Sequence, residues 1–166
     1  MKLSTLLDQL NNYQLINDSN PTISSVEMDS RKVTEGTLFI CIEGYTVDGH
    51  DFVHSAISNG AVAILAEKPL KNIPVPVIVV NNSRRVMAKL SSIFYDEPTK
   101  KMQLIGVTGT NGKTTTTHII DQILTEANKK TGLIGTMYIK IDDKLTDTVN
   151  TTPESLTLQK NIFRNG

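Results

Sequence analysis

The sequence predicts an α/β fold in two parts. A small α/β domain spans residues 1–98. The beginning of a second α/β domain of the phosphate-loop type spans residues 99–166 and is expected to be truncated. Three observations carry this. Continuous apolar runs of strand length (Thr37-Leu38-Phe39-Ile40-Cys41-Ile42, Ala61-Val62-Ala63-Ile64-Leu65-Ala66, Val77-Ile78-Val79-Val80) alternate with segments of helical period, as in a sheet covered by helices. A glycine-rich turn, Gly109-Thr110-Asn111-Gly112-Lys113, stands between an apolar run and a helical pattern. Between the two parts lies the short polar stretch Asp96-Glu97-Pro98-Thr99-Lys100-Lys101, which reads as a domain boundary.

In chain order, Leu3, Leu6, Leu7 and Leu10 fall at helical spacing and predict a short amphipathic helix, with Ser4 or Thr5 in its first turn. Asn17-Asp18-Ser19-Asn20-Pro21 is turn chemistry. Residues 23–28 read as a strand with Val26 and Met28 on one face, followed by Asp29-Ser30-Arg31. The polar, glycine-containing loop Glu43-Gly44-Tyr45-Thr46-Val47-Asp48-Gly49-His50 follows the first buried run. Asp51 is placed to cap a helix over residues 52–59 that Gly60 closes. Asn82 or Ser83 caps a helix carrying Val86, Met87, Leu90, Ile93 and Phe94.

In the second part, Leu104-Ile105-Gly106-Val107 reads as a strand. The helix after the loop carries Ile119, Ile120, Ile123, Leu124 and Ala127 on one face. Residues 137–141 and 145–149 predict a hairpin turning at Asp142-Asp143-Lys144. Thr152 caps a last helix with Pro153 at its first position, running to about Phe163. A loop of this type normally opens a sheet of about five strands or more. Residues 99–166 suffice for one parallel strand pair and a hairpin, so the second domain is expected to be incomplete.

Composition narrows the function. The 166 residues carry 17 basic and 17 acidic side chains, which argues against a nucleic-acid or anionic-membrane surface. Four Tyr, four Phe and no Trp argue against base-stacking platforms. A single cysteine, Cys41, excludes an intrachain disulfide and reads as a small buried hydrophobe. No apolar run is long enough to span a bilayer, and the N-terminus lacks a signal-peptide core. The expected location is cytoplasmic.

The residue types of the glycine-rich turn suit phosphate binding. Glycines let successive backbone N–H groups face an anion, and a helix N-terminus adds partial positive charge. Lys113 reaches terminal phosphates, and Thr114 is placed to hold Mg²⁺. The strict G-x-x-x-x-G-K-[ST] spacing asks for a glycine where this chain has Val107, so only the Gly109-x-x-Gly112-Lys113-Thr114 half fits.

Thr108-Gly109-Thr110-Asn111-Gly112-Lys113-Thr114-Thr115 resembles the ATP loop of the Mur ligases, which build the cell-wall peptide on a UDP-sugar and use this shorter glycine spacing. Asp29-Ser30-Arg31, Gly44-Tyr45-Thr46-Val47-Asp48-Gly49 and Asn150-Thr151-Thr152-Pro153 resemble, in order and spacing, stretches of the member that adds the third amino acid. The resemblance covers the whole chain but roughly the first third of a full-length enzyme. It implies ATP-dependent ligation of meso-diaminopimelate, or alternatively L-lysine, to UDP-N-acetylmuramoyl-L-alanyl-D-glutamate through an acyl phosphate, with ATP and Mg²⁺ as cofactors. A full-length monomer is implied as well.

By the match, Gly109, Thr110, Asn111, Gly112, Lys113, Thr114 and Thr115 bind ATP, Lys113 being catalytic and Thr114 the metal ligand. Ser30, Tyr45, Thr46 and Val47 bind the UDP-sugar side, and Asn150, Thr151 and Thr152 the muramoyl-dipeptide. Overall likeness through residues 44–50 and 133–143 leans toward diaminopimelate.

Blander readings stand beside these. Asp29-Ser30 favours turns by itself, Thr151-Thr152-Pro153 is a good helix start, and the side chains of Tyr45 and its neighbours could simply pack. His50, His54 and His118 are not spaced as a metal cluster and read as solvated or loosely packed. A competing class is a non-catalytic UDP-sugar and nucleotide-binding module. A folylpolyglutamate synthase shares the loop but lacks a UDP-binding first domain. Residues 1–166 alone are expected to bind the UDP-substrate weakly and to form no product.

Overall fold

The computed structural model describes residues 1–44, 46–141, 144–147 and 153–165, and the chain divides into two units, Met1–Glu97 and Pro98–Gly166. Unit 1 is organised by a five-stranded sheet. Its strands are β1 (Gln14–Ile16), β2 (Ser25–Glu27), β3 (Thr37–Ile40), β4 (Ala61–Ala66) and β5 (Val77–Val79), in the order β1-β5-β4-β3-β2. β2 to β5 are parallel, and β1 joins β5 antiparallel at the edge.

Parallel strands need both faces covered, which explains the uninterrupted apolar runs. Phe39, Cys41, Ile64, Ala66 and Val77 pack with Val53 and Ala56 of helix α2 (Val53–Ser58). By strand period, Leu38, Ile40, Leu65 and Ile78 face the other way, and all four are fully buried. Helices α1 (Leu3–Leu7) and α3 (Ser83–Phe94) touch one another and bury Leu3, Leu6, Leu7, Met87 and Leu90. Each such Leu or Ile contributes about 1.5–3 kcal/mol by leaving water.

Local chemistry sets the element ends. Asn82 Oδ1 accepts from Arg85 N at 2.8 Å and caps α3. The start of α1 is held from outside the helix: Asn20 Oδ1 accepts from Ser4 N at 2.9 Å, and Asn20 Nδ2 donates to Ser4 Oγ at 3.0 Å. Ahead of α2, Asp48 rather than Asp51 is the cap. It accepts from His50 N and opens a 3-10 turn over Gly49–Phe52 that feeds the helix. Gly60 has a φ of 106°, and a Cβ there would lie 2.7 Å from Glu35 Cα, so this turn requires glycine.

Unit 2 contains α4 (Lys113–Glu126), the strands β6 (Gly132–Ile134), β7 (Tyr138–Ile141) and β8 (Lys144–Asp147), and α5 (Ser155–Asn165). Several sequence expectations are corrected here. Residues 104–107 form no strand, and Leu104 and Ile105 are 65% and 53% exposed. An extended run becomes a strand only when a neighbour supplies its ladder. β6 instead pairs antiparallel with β7, and β7 with β8, so the expected parallel pair is absent among the described residues.

The predicted apolar face of α4 is only partly covered, with Ile120 and Leu124 half-buried. No α4 residue is buried, and Ile119 and Ile123 are exposed. Beside Ile120 and Leu124 runs a polar seam at helical spacing. His118 Nε2 lies 2.5 Å from Tyr138 Oη, Asp121 accepts from Lys140 Nζ at 2.7 Å and Thr131 Oγ1 at 2.5 Å, and Thr125 Oγ1 lies 3.3 Å from Thr131 Oγ1. α5 begins at Ser155, after Pro153, so the proline precedes the helix rather than opening it. The expected cap at Thr152 and the hairpin corner at Asp142-Asp143 lie outside the described residues.

Candidate functional site

In an open parallel sheet, ligands bind outside the carboxyl ends of the strands. Unit 1 has four parallel strands, and the segments leaving their carboxyl ends carry Ser30 after β2, Gly44 to Val47 after β3, Glu67 after β4 and Asn82 after β5. A cleft of about 410 Å³ opens at this edge, lined by Ile42, Glu43, Gly44, Glu67, Asn82 and Arg84.

Ser30 is 7% exposed and opens the 3-10 turn Ser30–Lys32. Asp29 Oδ1 accepts from Arg31 N at 3.1 Å, and the Arg31 guanidinium grips the same carboxylate with two bonds of 2.9 Å. These bonds hold the Asp29 carboxyl below the usual carboxylate range. Asn59 Nδ2 donates to Ser30 O at 2.9 Å and ties the turn to the end of α2. The local turn chemistry of Asp29-Ser30 is therefore real, and it leaves the Ser30 backbone fixed at the strand end.

The loop after β3 is closed on itself. Gly44 N donates to Val47 O and Gly49 N to Ile42 O, both at 2.9 Å, and Glu43 and Asp48 form an antiparallel bridge. Thr46 and Val47 are exposed at its tip. Tyr45 lies outside the described residues, as do Asn150, Thr151 and Thr152.

His50 corrects a sequence expectation: it is 8% exposed, not solvated. Nε2 lies 3.1 Å from Glu67 N, which can only donate, so Nε2 accepts and the ring proton sits on Nδ1, 2.5 Å from Asp48 Oδ1. Asp48 Oδ2 also accepts from Lys68 Nζ at 3.0 Å. The His50 backbone N–H, then its ring, then Lys68 hold the Asp48 carboxyl far below its ordinary value, against the opposing effect of burial. Glu67 Oε1 in turn accepts from Ser83 N at 2.7 Å. The signal for this network was present as Asp48-Gly49-His50, but nothing local pointed to its partner at Glu67.

In unit 2 the glycine-rich turn runs into α4. Gly112 is the residue before the helix and has a φ of 79°, a left-handed conformation that favours glycine. Residues 108–116 are exposed, and the first-turn N–H groups of α4 have no intrahelical acceptor by construction. The Lys113 ammonium folds back over the turn, 2.5 Å from Gly109 O and 3.2 Å from Thr110 O. Thr117 Oγ1 donates to Lys113 O and Thr114 O, and His118 Nδ1 lies 2.7 Å from Thr114 O, bracing the first turn. Among the described residues there is no cluster of three or more His, Cys, Asp or Glu that could hold a metal by itself. No described helix is long and apolar enough to cross a membrane.

Comparison with known proteins agrees along the chain. The family described as "Mur ligase family, catalytic domain" matches residues 22–95, and "Mur ligase middle domain" matches residues 107–165. The chain is similar to the UDP-N-acetylmuramoyl-L-alanyl-D-glutamate–2,6-diaminopimelate ligase of Halalkalibacterium halodurans, at 59% identity over 96% of this chain and 33% of that protein. It is similar to the Bacillus cereus protein of the same name at 52% identity over 99% of this chain and 33% of that protein. The chain thus spans about a third of the length of the curated relatives it matches.

Among solved structures, a UDP-N-acetylmuramoyl-L-alanyl-D-glutamate–2,6-diaminopimelate ligase superposes with a TM-score of 0.65 and 25% identity, over 86% of this chain and 29% of that one. MurF ligase from Thermotoga maritima in complex with ADP superposes with a TM-score of 0.57 and 31% identity, over 84% and 28%. Two adjoining family patterns, one on each side of the division between the units, together with relatives matched from end to end of this chain, establish that it belongs to the Mur ligase family.

Proposed function

We propose that this chain carries the UDP-substrate side and the nucleotide loop of an ATP-dependent ligase that joins meso-diaminopimelate to UDP-N-acetylmuramoyl-L-alanyl-D-glutamate. The observation that carries the reading is the turn into α4: a left-handed Gly112, exposed first-turn N–H groups, and a lysine whose ammonium is exposed and turned onto the loop. The relatives' names supply the substrates.

A carboxylate is a poor acyl donor, and phosphorylation by ATP gives the D-glutamate carboxyl a good leaving group for attack by an amine. The protein's part is positioning and charge neutralisation. Backbone groups of Gly109, Thr110, Asn111, Gly112, Lys113, Thr114 and Thr115 would cradle the phosphates. Lys113 would exchange its loop carbonyls for β/γ-phosphate oxygens. The exposed Thr114 hydroxyl suits Mg²⁺, which when bound supplies charge neutralisation on the phosphates. Ser30, Thr46 and Val47, with Tyr45, would take the UDP-sugar at the carboxyl edge of the parallel sheet. Asn150, Thr151 and Thr152 would take the dipeptide part.

The test is calorimetric titration of residues 1–166 with UDP-N-acetylmuramoyl-L-alanyl-D-glutamate and, separately, with Mg·ADP. Ser30→Ala is expected to weaken the first about tenfold and leave the second unchanged, the size of one lost hydrogen bond. Lys113→Ala is expected to do the reverse. Loss of both ligands in either variant, with unchanged circular dichroism, would sink the assignment of the two sites.

A further inference from the structure

Three segments leave the carboxyl edge of unit 1 in sequence-remote places, and a short chain of hydrogen bonds through His50 and Glu67 ties them together. His50 sits at the base of the loop after β3. Its Nδ1–H donates to Asp48 Oδ1 at 2.5 Å, and its Nε2 accepts from the backbone of Glu67, after β4, at 3.1 Å. Lys68 reaches back to Asp48 Oδ2 at 3.0 Å, and Glu67 Oε1 accepts from Ser83 N, at the start of α3, at 2.7 Å. The ring is 8% exposed and bonded at both nitrogens. The loop tip, by contrast, is open, with Val47 54% exposed.

We infer that His50 is a positioning residue for the substrate-side loop, holding its two stems, Glu43-Gly44 and Val47-Asp48, together before any ligand arrives. The inference rests on the reading of this loop as the UDP-sugar side. Its physical basis is entropy. Fixing the backbone of a residue costs conformational entropy. A loop already ordered by folding does not draw that cost from binding. Gly49 belongs to the same device. Its N–H donates to Ile42 O, and a Cβ would lie 2.7 Å from Ile42 N, so the chain returns against β3 only as glycine. His50, the next residue, is thereby delivered to a buried position between Asp48 and Glu67. Its bonds run to Asp48 and Glu67, so its effect on ligand is transmitted through the loop.

The experiment compares the unmodified chain with His50→Ala and His50→Gln. Gln retains a carbonyl that can accept Glu67 N–H. Three readouts are taken: affinity for UDP-N-acetylmuramoyl-L-alanyl-D-glutamate, hydrogen exchange at the Thr46, Val47 and Glu67 amides, and affinity for Mg·ADP. His50→Ala is expected to speed loop exchange and raise the UDP-substrate Kd at least about tenfold, through a less favourable binding entropy, with Mg·ADP affinity unchanged. His50→Gln is expected to recover part of both the protection and the affinity.

Faster loop exchange with an unchanged Kd would overturn the inference, because loop order would then be irrelevant to the ligand. A protected loop in an unmodified chain that binds no UDP-substrate would instead refute the substrate-side reading, and this inference with it. Imidazole nitrogen shifts in the unmodified chain add a check that needs no variant: a bare Nδ1 with a protonated Nε2 would contradict the clasp outright.

Discussion

Asp121 tests whether polar contacts, rather than an apolar face, hold the helix behind the nucleotide loop. Replacing it by alanine removes the acceptor of Lys140 Nζ at 2.7 Å and Thr131 Oγ1 at 2.5 Å. The Asp121 and Lys140 side chains are 10% and 27% exposed, so the pair is largely shielded. Breaking a fully buried pair costs about 3–5 kcal/mol, and an exposed one about 0–1 kcal/mol. The geometry here places Asp121→Ala at about 2 kcal/mol, which corresponds to roughly 30-fold faster exchange of the α4 and β7 amides. Asp121→Asn keeps an oxygen for Thr131 and is expected to lose about half as much.

The assay is native-state hydrogen exchange, with the β3 and β4 amides as the internal control. Protection of α4 within about threefold of the unmodified chain would refute the polar-seam account. The same pair predicts a pH dependence. Burial pushes the Asp121 carboxyl up, but the Lys140 and Thr131 hydrogen bonds and the nearby positive charge of Lys140 and His118 outweigh it, so the group sits below its ordinary value. A depressed carboxylate contributes stability above its unfolded pKa and loses it as pH falls through the folded one. Protection of α4 should therefore drop below about pH 4, and Asp121→Asn should remove that part of the dependence.

Two further outcomes follow from unit 1. Gly49→Ala forces a Cβ to within 2.7 Å of Ile42 N and 3.0 Å of Ile42 O. It is expected to lower the urea midpoint by an amount equivalent to about 2 kcal/mol, and an unchanged midpoint would show that the close approach is dispensable. Cys41 is fully buried, and burial pushes its thiol up to about 12. A thiol reagent should label it only after unfolding, whereas rapid labelling in native buffer would mean that the end of β3 opens.

The readable parts of unit 1 were those in which local pattern and burial coincide. Leu3, Leu6 and Leu7 at helical spacing became the buried face of α1. The apolar runs became β3, β4 and β5, and Asn82 became the cap of α3. β1 was not legible, because Gln14–Ile16 is a short edge strand whose existence depends on pairing with β5. The role of Asp48 was missed in favour of Asp51 because both are plausible caps in sequence, and only the 3-10 turn over Gly49–Phe52 decides between them. In unit 2, periodicity named an apolar face on α4 and a strand at residues 104–107. The strand is not formed and the face is covered only at Ile120 and Leu124, because a hydrophobic stripe acquires meaning only from the surface that covers it.

What the sequence by itself determined was placement: local spacing puts Gly112, Lys113 and Thr114 at the start of a helix and Asp29-Ser30 after a strand, where the structure has them. Tertiary structure alone decided which remote groups meet. His50 finds the Glu67 N–H because β3 pairs parallel with β4, and the Asp121 carboxylate finds the Lys140 ammonium because α4 lies against the sheet in which β6 pairs with β7. A hydrogen bond is decided by ångströms of separation, and sequence spacing constrains those only within one turn or one hairpin.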